Sequence, residues 1–229
     1  KLRVLRVPIL AVSDTQYYGT IRQRLGIYYF KFFYKSAFTH LWVAGPIQFE
    51  YAKRLGFKNN EIIFNFLSAD LSIFCAFYDK TINLKKNNYP HQFLFVGRFA
   101  PEKGLNVLLD AWNAIEDKKD WKLKVLGNGP LKEQLQNHDD IKVIDFVQPE
   151  EFENIIKQSG CLLLPSIKEP WALVLHEFSA AGLPIIASNV CGSIPYFLIN
   201  GYNGFVFENK NFNDLKQKME KIIQLSDSE

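Results

Sequence analysis

Two carboxylates, Glu169 and Glu177, frame the segment Pro165-Ser166-Ile167-Lys168-Glu169-Pro170-Trp171-Ala172-Leu173-Val174-Leu175-His176-Glu177. The apolar run Cys161-Leu162-Leu163-Leu164 leads into it, and Ala180-Ala181-Gly182-Leu183-Pro184 follows. The pattern reads as strand, loop, helix, turn. Glu169 falls in the loop at the carboxyl end of the strand, and Glu177 about a turn and a half into the helix. Open α/β sheets bind ligands beyond the carboxyl ends of their strands. A helix that starts there offers unpaired N–H groups and partial positive charge, which suits phosphate. Two acids on either side of such a helix start fit a ligand with hydroxyls at both ends and phosphates between them, the shape of a nucleotide sugar. The spacing of eight carries no weight by itself. Glu177 carries more, because its helix is apolar nearly all round and a buried carboxylate is costly without partners.

A second candidate lies in Gly97-Arg98-Phe99-Ala100-Pro101-Glu102-Lys103-Gly104, which joins the strand Phe93-Leu94-Phe95-Val96 to the next helix. Arg98 and Lys103 fall on the same sheet edge as Glu169. Two fixed cations there can neutralise a departing diphosphate; the alternative is a pair of solvated surface cations. The segment fits neither a Walker A loop, whose Lys precedes Ser or Thr, nor Gly-x-Gly-x-x-Gly. Gly127-Asn128-Gly129-Pro130 is a strand-to-helix turn whose glycines would let a ligand approach closely. The loop 188–195 belongs to the ligand edge, and Asn200-Gly201-Tyr202-Asn203-Gly204 reads as a plain turn. His40, His91, His138 and His176 show no metal-ligand spacing, and no Ser-His-Asp or Cys-His set is visible, so no metal is expected.

The surrounding pattern supplies a scaffold. Short apolar runs at 93–96, 122–126, 141–144, 161–164, 184–188 and 205–207 alternate with helical segments. One of these places Leu105, Leu108, Leu109, Trp112 and Ile115 on one helix face. Six strands alternating with helices predict an α/β, Rossmann-like, doubly wound parallel sheet. Further strands are expected at Val7–Val12, Leu41–Ala44 and Ile62–Phe64, with a helix from about Gln48 to Leu55, so residues 1–80 form part of a second α/β domain. The polar stretch around Lys85-Lys86-Asn87-Asn88 reads as a linker at 81–90. The complete domain then spans 91–210, and 211–229 is a polar C-terminal helix.

The 229 residues are 48% hydrophobic, enough for a sizeable core, and the net charge of +3 makes no global case for nucleic acid. Charge is unevenly placed. Residues 1–90 hold 13 Lys and Arg against 5 Asp and Glu, and residues 91–229 hold 14 against 19. The acidic second region argues against a nucleic-acid-binding protein. Three cysteines without framework spacing point to a reducing compartment, and no stretch reaches the ~18 apolar residues of a membrane span. No signal peptide is evident, so a cytoplasmic location is expected, at the inner face of a membrane if the basic region meets one. Residues 20–37 mix bases with aromatics and suggest peripheral membrane contact. Because the aromatics encircle the helix, a core helix with cationic edges is the favoured reading.

Taken together, these segments resemble the retaining glycosyltransferases of family 4, which have the GT-B fold of two Rossmann-like domains. The resemblance rests on Phe95-Val96-Gly97-Arg98, Glu102-Lys103-Gly104, Gly127-Asn128-Gly129-Pro130, Leu164-Pro165-Ser166, Glu169 with Glu177, Gly182-Leu183-Pro184-Ile185-Ile186-Ala187-Ser188, and the turn at 200–204, in this order. They span about 93–208, and residues 41–74 are similar to the end of the family's N-terminal domain. The resemblance implies that Arg98 and Lys103 hold the diphosphate and that Glu169 meets the transferred sugar. Glu177 would accept the ribose hydroxyls. The main chain around Trp171, Ala172, Leu173 and Val174 would hold phosphate and sugar, Gly129 would border the site, and Phe146 and Val147 would meet the base.

The implied activity is metal-independent transfer, with retention, from a UDP- or GDP-sugar to a saccharide or lipid-linked acceptor, without a cofactor, in surface polysaccharide or glycolipid synthesis. A non-catalytic nucleotide-sugar-binding module and a GT-B sugar-nucleotide epimerase are the alternatives. The sequence departs from the family at Ala172, where Gly is usual, at Tyr196, where an acid often stands, and at Phe178-Ser179. The first half of the N-terminal domain, with its Gly-rich loop and usual catalytic-site His, is not among these residues. The chain, which starts at Lys1, is therefore expected to be a piece of something longer, able to bind a donor yet transfer nothing by itself.

Overall fold

The computed structural model describes residues 7–138 and 140–226. They form two compact units, divided between Ser68 and Ala69.

The first unit holds β1 (Leu10–Ser13), α1 (Ile21–Tyr29), β2 (His40–Val43), α2 (Pro46–Arg54) and β3 (Ile62–Ile63). The strands pair in parallel in the order β1-β2-β3. Thr20 caps α1 by accepting from the Gln23 N–H at 3.2 Å. Proline at the first position and Lys53-Arg54 in the last turn suit the two ends of α2. Leu41, Val43, Ala52, Leu55, Phe57 and Ile62 form the core.

The core-helix reading of residues 22–35 does not hold. Of the α1 side chains only Ile27 is buried, while Ile21, Leu25, Tyr28, Phe32 and Phe33 stand in solvent. The helix runs on as a wider π turn at Phe30–Tyr34.

The second unit begins with α3 (Ser72–Asn87). Then follow β4 (Gln92–Val96), α4 (Leu105–Ala114), β5 (Lys122–Leu126), α5 (Lys132–Gln136), β6 (Ile141–Ile144) and α6 (Phe152–Lys157). The remainder is β7 (Cys161–Leu164), α7 (Leu173–Ala180), β8 (Ile185–Ser188), α8 (Ile194–Phe197), β9 (Gly204–Phe207) and α9 (Phe212–Gln224). All six strands are parallel, in the order β6-β5-β4-β7-β8-β9. This is the doubly wound order, with its reversal between β4 and β7.

Alternation along the strands builds both faces of the sheet. Phe93, Phe95, Cys161 and Leu163 enter one apolar cluster with Trp112 of α4 and Met219 of α9. Leu94, Leu162 and Leu164 enter the other, with Phe74 of α3, Phe152 of α6 and Phe178 of α7.

Two expectations about the ends of this domain are corrected. The segment 81–90 is not a linker: most of it lies in α3, whose Phe74, Phe77, Thr81 and Lys85 form a buried stripe at helical spacing. Lys85 is drawn inward to donate to the Ser159 carbonyl at 2.8 Å, and burial pulls its ammonium down to about 8. Nor is α9 merely polar. It buries Leu215, Met219, Ile222 and Ile223 against the cluster that holds α4.

Candidate functional site

At the reversal, the chain leaves β4 toward one face of the sheet and β7 toward the other, opening a crevice above their carboxyl ends. The β4 loop is held from below by Gly127-Asn128-Gly129-Pro130. The Phe99 N–H donates to the Asn128 carbonyl at 2.8 Å, and the Leu131 N–H donates to the Phe99 carbonyl at 3.1 Å. A Cβ on Gly127 would meet the Gly97 carbonyl oxygen at 2.0 Å, and one on Gly129 the Phe99 carbonyl oxygen at 2.5 Å. These glycines admit protein backbone rather than ligand, and Gly129 does not line the cleft.

The β4 loop then turns through a 3-10 turn, Pro101–Lys103, into Gly104, which has φ 70°. A Cβ there would fall 1.9 Å from the Pro165 carbonyl oxygen. The close approach is fixed by Ile167 and Lys168, whose N–H groups donate to the Glu102 carbonyl at 2.8 and 3.2 Å. It carries Lys103 across to the second loop, where its Nζ lies 2.5 Å from Glu169 Oε2. Glu169 is buried, and Ser166 Oγ donates to the same oxygen at 3.2 Å. Arg98 pairs with Glu102. Each of the two predicted cations is therefore held beside a carboxylate.

The loop after β8 holds the second loop from behind. The Gly192 N–H donates to the Glu169 carbonyl at 3.1 Å, and the Ser193 N–H to the Trp171 carbonyl at 2.9 Å. Ser193 Oγ donates to the Ala172 carbonyl at 3.1 Å. Ala172 is clamped at φ 76°, ψ 79°, a left-handed conformation that glycine adopts far more easily.

Helix α7 starts directly after it. The N–H groups of Leu173 and Val174 occupy the first turn, where helix geometry supplies no acceptor. One turn further on stands Glu177, half-buried, with its carboxyl pushed above its ordinary value by burial.

A cleft of about 410 Å³ gathers these groups. Arg98, Lys103, Glu169 and Glu177 line it, with Ala172, Leu173 and Val174 from the start of α7 and Phe146 and Val147 from the loop after β6. Trp171 is the exception besides Gly129. It is buried beneath the loop, with its ring centroid 5.6 Å from that of Tyr196, and does not line the cleft. Three contributors escaped the sequence reading. Ser166 stands inside a quoted motif, Ser193 inside a loop assigned to this edge, and Phe152, the first residue of α6, borders the cleft without any local signal.

The arrangement puts two cations and a helix start where a dianion can sit, with carboxylates at either end able to accept hydrogen bonds from hydroxyl groups. Among the described residues no group of three or more His, Cys, Asp or Glu could hold a metal ion. Among those residues, too, no helix is long and apolar enough to cross a membrane.

The chain is 34% identical over 136 residues to an uncharacterized glycosyltransferase of Methanocaldococcus jannaschii, covering 57% of this chain and 37% of that protein. It is 27% identical over 158 residues to the UDP-Gal:alpha-D-GlcNAc-diphosphoundecaprenol alpha-1,3-galactosyltransferase of Escherichia coli, covering 65% and 39%. The matched segment thus spans well under half the length of these relatives. Among solved structures, Anabaena HepE in complex with UDP and glucose superposes with a TM-score of 0.71 at 15% identity, over 97% of this chain and 64% of that one. The likeness shows the fold, GT-B. The model of the family described as "Glycosyl transferases group 1" matches residues 79–229, and the chain belongs to that family.

Proposed function

We propose that the second unit is the donor-binding domain of a retaining, metal-independent glycosyltransferase that moves a sugar from a UDP- or GDP-sugar to a saccharide or lipid-linked acceptor. One observation carries the reading: the crevice at the β4–β7 reversal brings Arg98, Lys103, Glu169, Glu177 and the start of α7 into a single cleft. The UDP held by HepE and the diphosphoundecaprenol-linked acceptor named for the Escherichia coli relative support the donor and acceptor classes. Surface polysaccharide synthesis in the cytoplasm, at the inner face of a membrane, fits that acceptor.

Donor binding would draw Arg98 and Lys103 from their carboxylates onto the diphosphate. Charge that develops on the leaving group would meet both cations and the α7 N–H groups, fixed in advance. Glu169, released from Lys103 but still held by Ser166, would face the sugar hydroxyls. Glu177 would accept from the ribose.

Calorimetric titration of the chain with UDP, GDP and UMP, without added metal, tests this. Diphosphates should bind more tightly than UMP, and one base should be preferred. A folded chain that binds none of the three would defeat the assignment.

A further inference from the structure

We propose that α1 is a docking surface for a bilayer containing anionic phospholipid, with a lipid phosphate seated in the basic cavity beside it. The inference concerns the first unit alone and is independent of the donor site.

Ile21, Leu25, Tyr28 and Phe32 recur at i, i+4, i+7 and i+11, so they form one stripe along the helix. The structure turns that stripe outward: Ile21 is 78% exposed and Phe32 79%. Ile27, the buried residue of α1, lies on the opposite side. Arg24, Lys31 and Lys35 run along one flank, with Arg22, Tyr29 and Phe33 on the other. Residues 20–37 contain four bases and no acid.

Beside the basic flank, a cavity of about 540 Å³ is bounded by Arg24, Lys31 and Arg54 with Tyr17 and Tyr28. Arg54 is held there by Glu50 at 2.6 Å and by the Tyr17 ring, 4.1 Å from its guanidinium carbon. Arg24 and Lys31 form no ion pair among the described residues.

An apolar stripe rimmed by cations matches the interface of an anionic bilayer, where aromatic rings lie at the headgroup level and nearby Lys and Arg are attracted by the surface charge. Charge complementarity decides the occupant. A second copy would set Arg22, Arg24 and Lys31 against their own like charges, Lys35 being paired with Glu61, and a zwitterionic surface carries no net negative charge to answer them.

The test is vesicle flotation of the 229-residue chain. One set of vesicles is phosphatidylcholine alone, and the other contains about one-third phosphatidylglycerol, each at low and high salt. Retention on the anionic vesicles should exceed that on phosphatidylcholine at least tenfold and fall with salt. Arg24→Glu/Lys31→Glu should erase the preference, and Phe32→Ser/Phe33→Ser should weaken retention at least fivefold, with circular dichroism unchanged in both. These positions are exposed, so the variants should fold. Equal retention on both vesicle types, or none, would overturn the proposal. So would sedimentation showing a dimer that Phe32→Ser/Phe33→Ser dissolves, since the face would then belong to a second copy.

Discussion

Lys103 and Glu169 lie 66 residues apart in sequence, yet their charged ends meet at 2.5 Å above the reversal of the sheet. The pair links the two loops that form the cleft, and it holds a cation inside it. Arg98, paired with Glu102, lines the same cleft.

Arg98→Ala/Lys103→Ala should therefore remove most of the affinity for nucleoside diphosphates. A charge-assisted hydrogen bond contributes about 1.5–3 kcal/mol, so loss of two predicts at least a hundredfold increase in Kd. UMP should lose less. Calorimetry with UDP, GDP and UMP reads this directly, and unchanged diphosphate affinity in the folded variant would remove the phosphate role from both residues.

Gly104 sets the separation of these loops. Gly104→Ala would place a Cβ 1.9 Å from the Pro165 carbonyl oxygen and oblige alanine to adopt φ 70°. The loops must part, at a cost of about 2–4 kcal/mol, and Lys103 should lose register with Glu169. A drop in the unfolding midpoint together with weaker UDP binding is expected. A variant as stable as the parent would show that the loop contact is dispensable.

The sheet was legible because β4 to β9 are short apolar runs bounded by glycine, proline or polar turns, and their order follows from a repeated strand–helix pattern. The cleft was legible for the same reason: a strand's carboxyl end is a fixed address, and the residues after 96 and 164 had to converge there. What failed depends on information no local pattern carries. The stripe of α3 includes Thr81 and Lys85, polar letters that resemble a linker until Lys85 reaches the Ser159 carbonyl. The aromatics around α1 look like core residues in sequence, and nothing local says whether protein or solvent covers them. Gly129 requires a close approach, and sequence does not say whether ligand or the Phe99 carbonyl makes it. Trp171 sits within the right loop, yet its side chain turns into the protein.

Ala172 should be a site of stored strain. Its φ of 76° and ψ of 79° cost an L-residue with a Cβ about 1–2 kcal/mol. Ala172→Gly should raise stability by about 1 kcal/mol, or about 2–4 °C in the unfolding midpoint of a chain this size. Its backbone N–H and carbonyl are unaltered, so UDP affinity should change little. A midpoint that falls would mean that the methyl group's packing outweighs the backbone strain.

Glu177 should make stability and binding respond to pH in opposite directions. Burial raises its carboxyl above the ordinary value in the folded chain. Between the unfolded and folded values the native state therefore holds more protons than the unfolded one, so stability falls as pH rises through that window. Above the folded value the penalty is fully present. Glu177→Gln removes the charge at every pH, so the variant should melt higher than the parent at about pH 8 and converge with it toward about pH 4. Binding should run the other way. Only the carboxylate accepts from both ribose hydroxyls, so the ratio of parent to variant UDP affinity should grow as pH climbs through the same window. Melting curves and UDP titrations of the two proteins across that range check both halves. A variant that melts lower at neutral pH while binding UDP as tightly as the parent would make Glu177 a structural residue and take it out of the donor site.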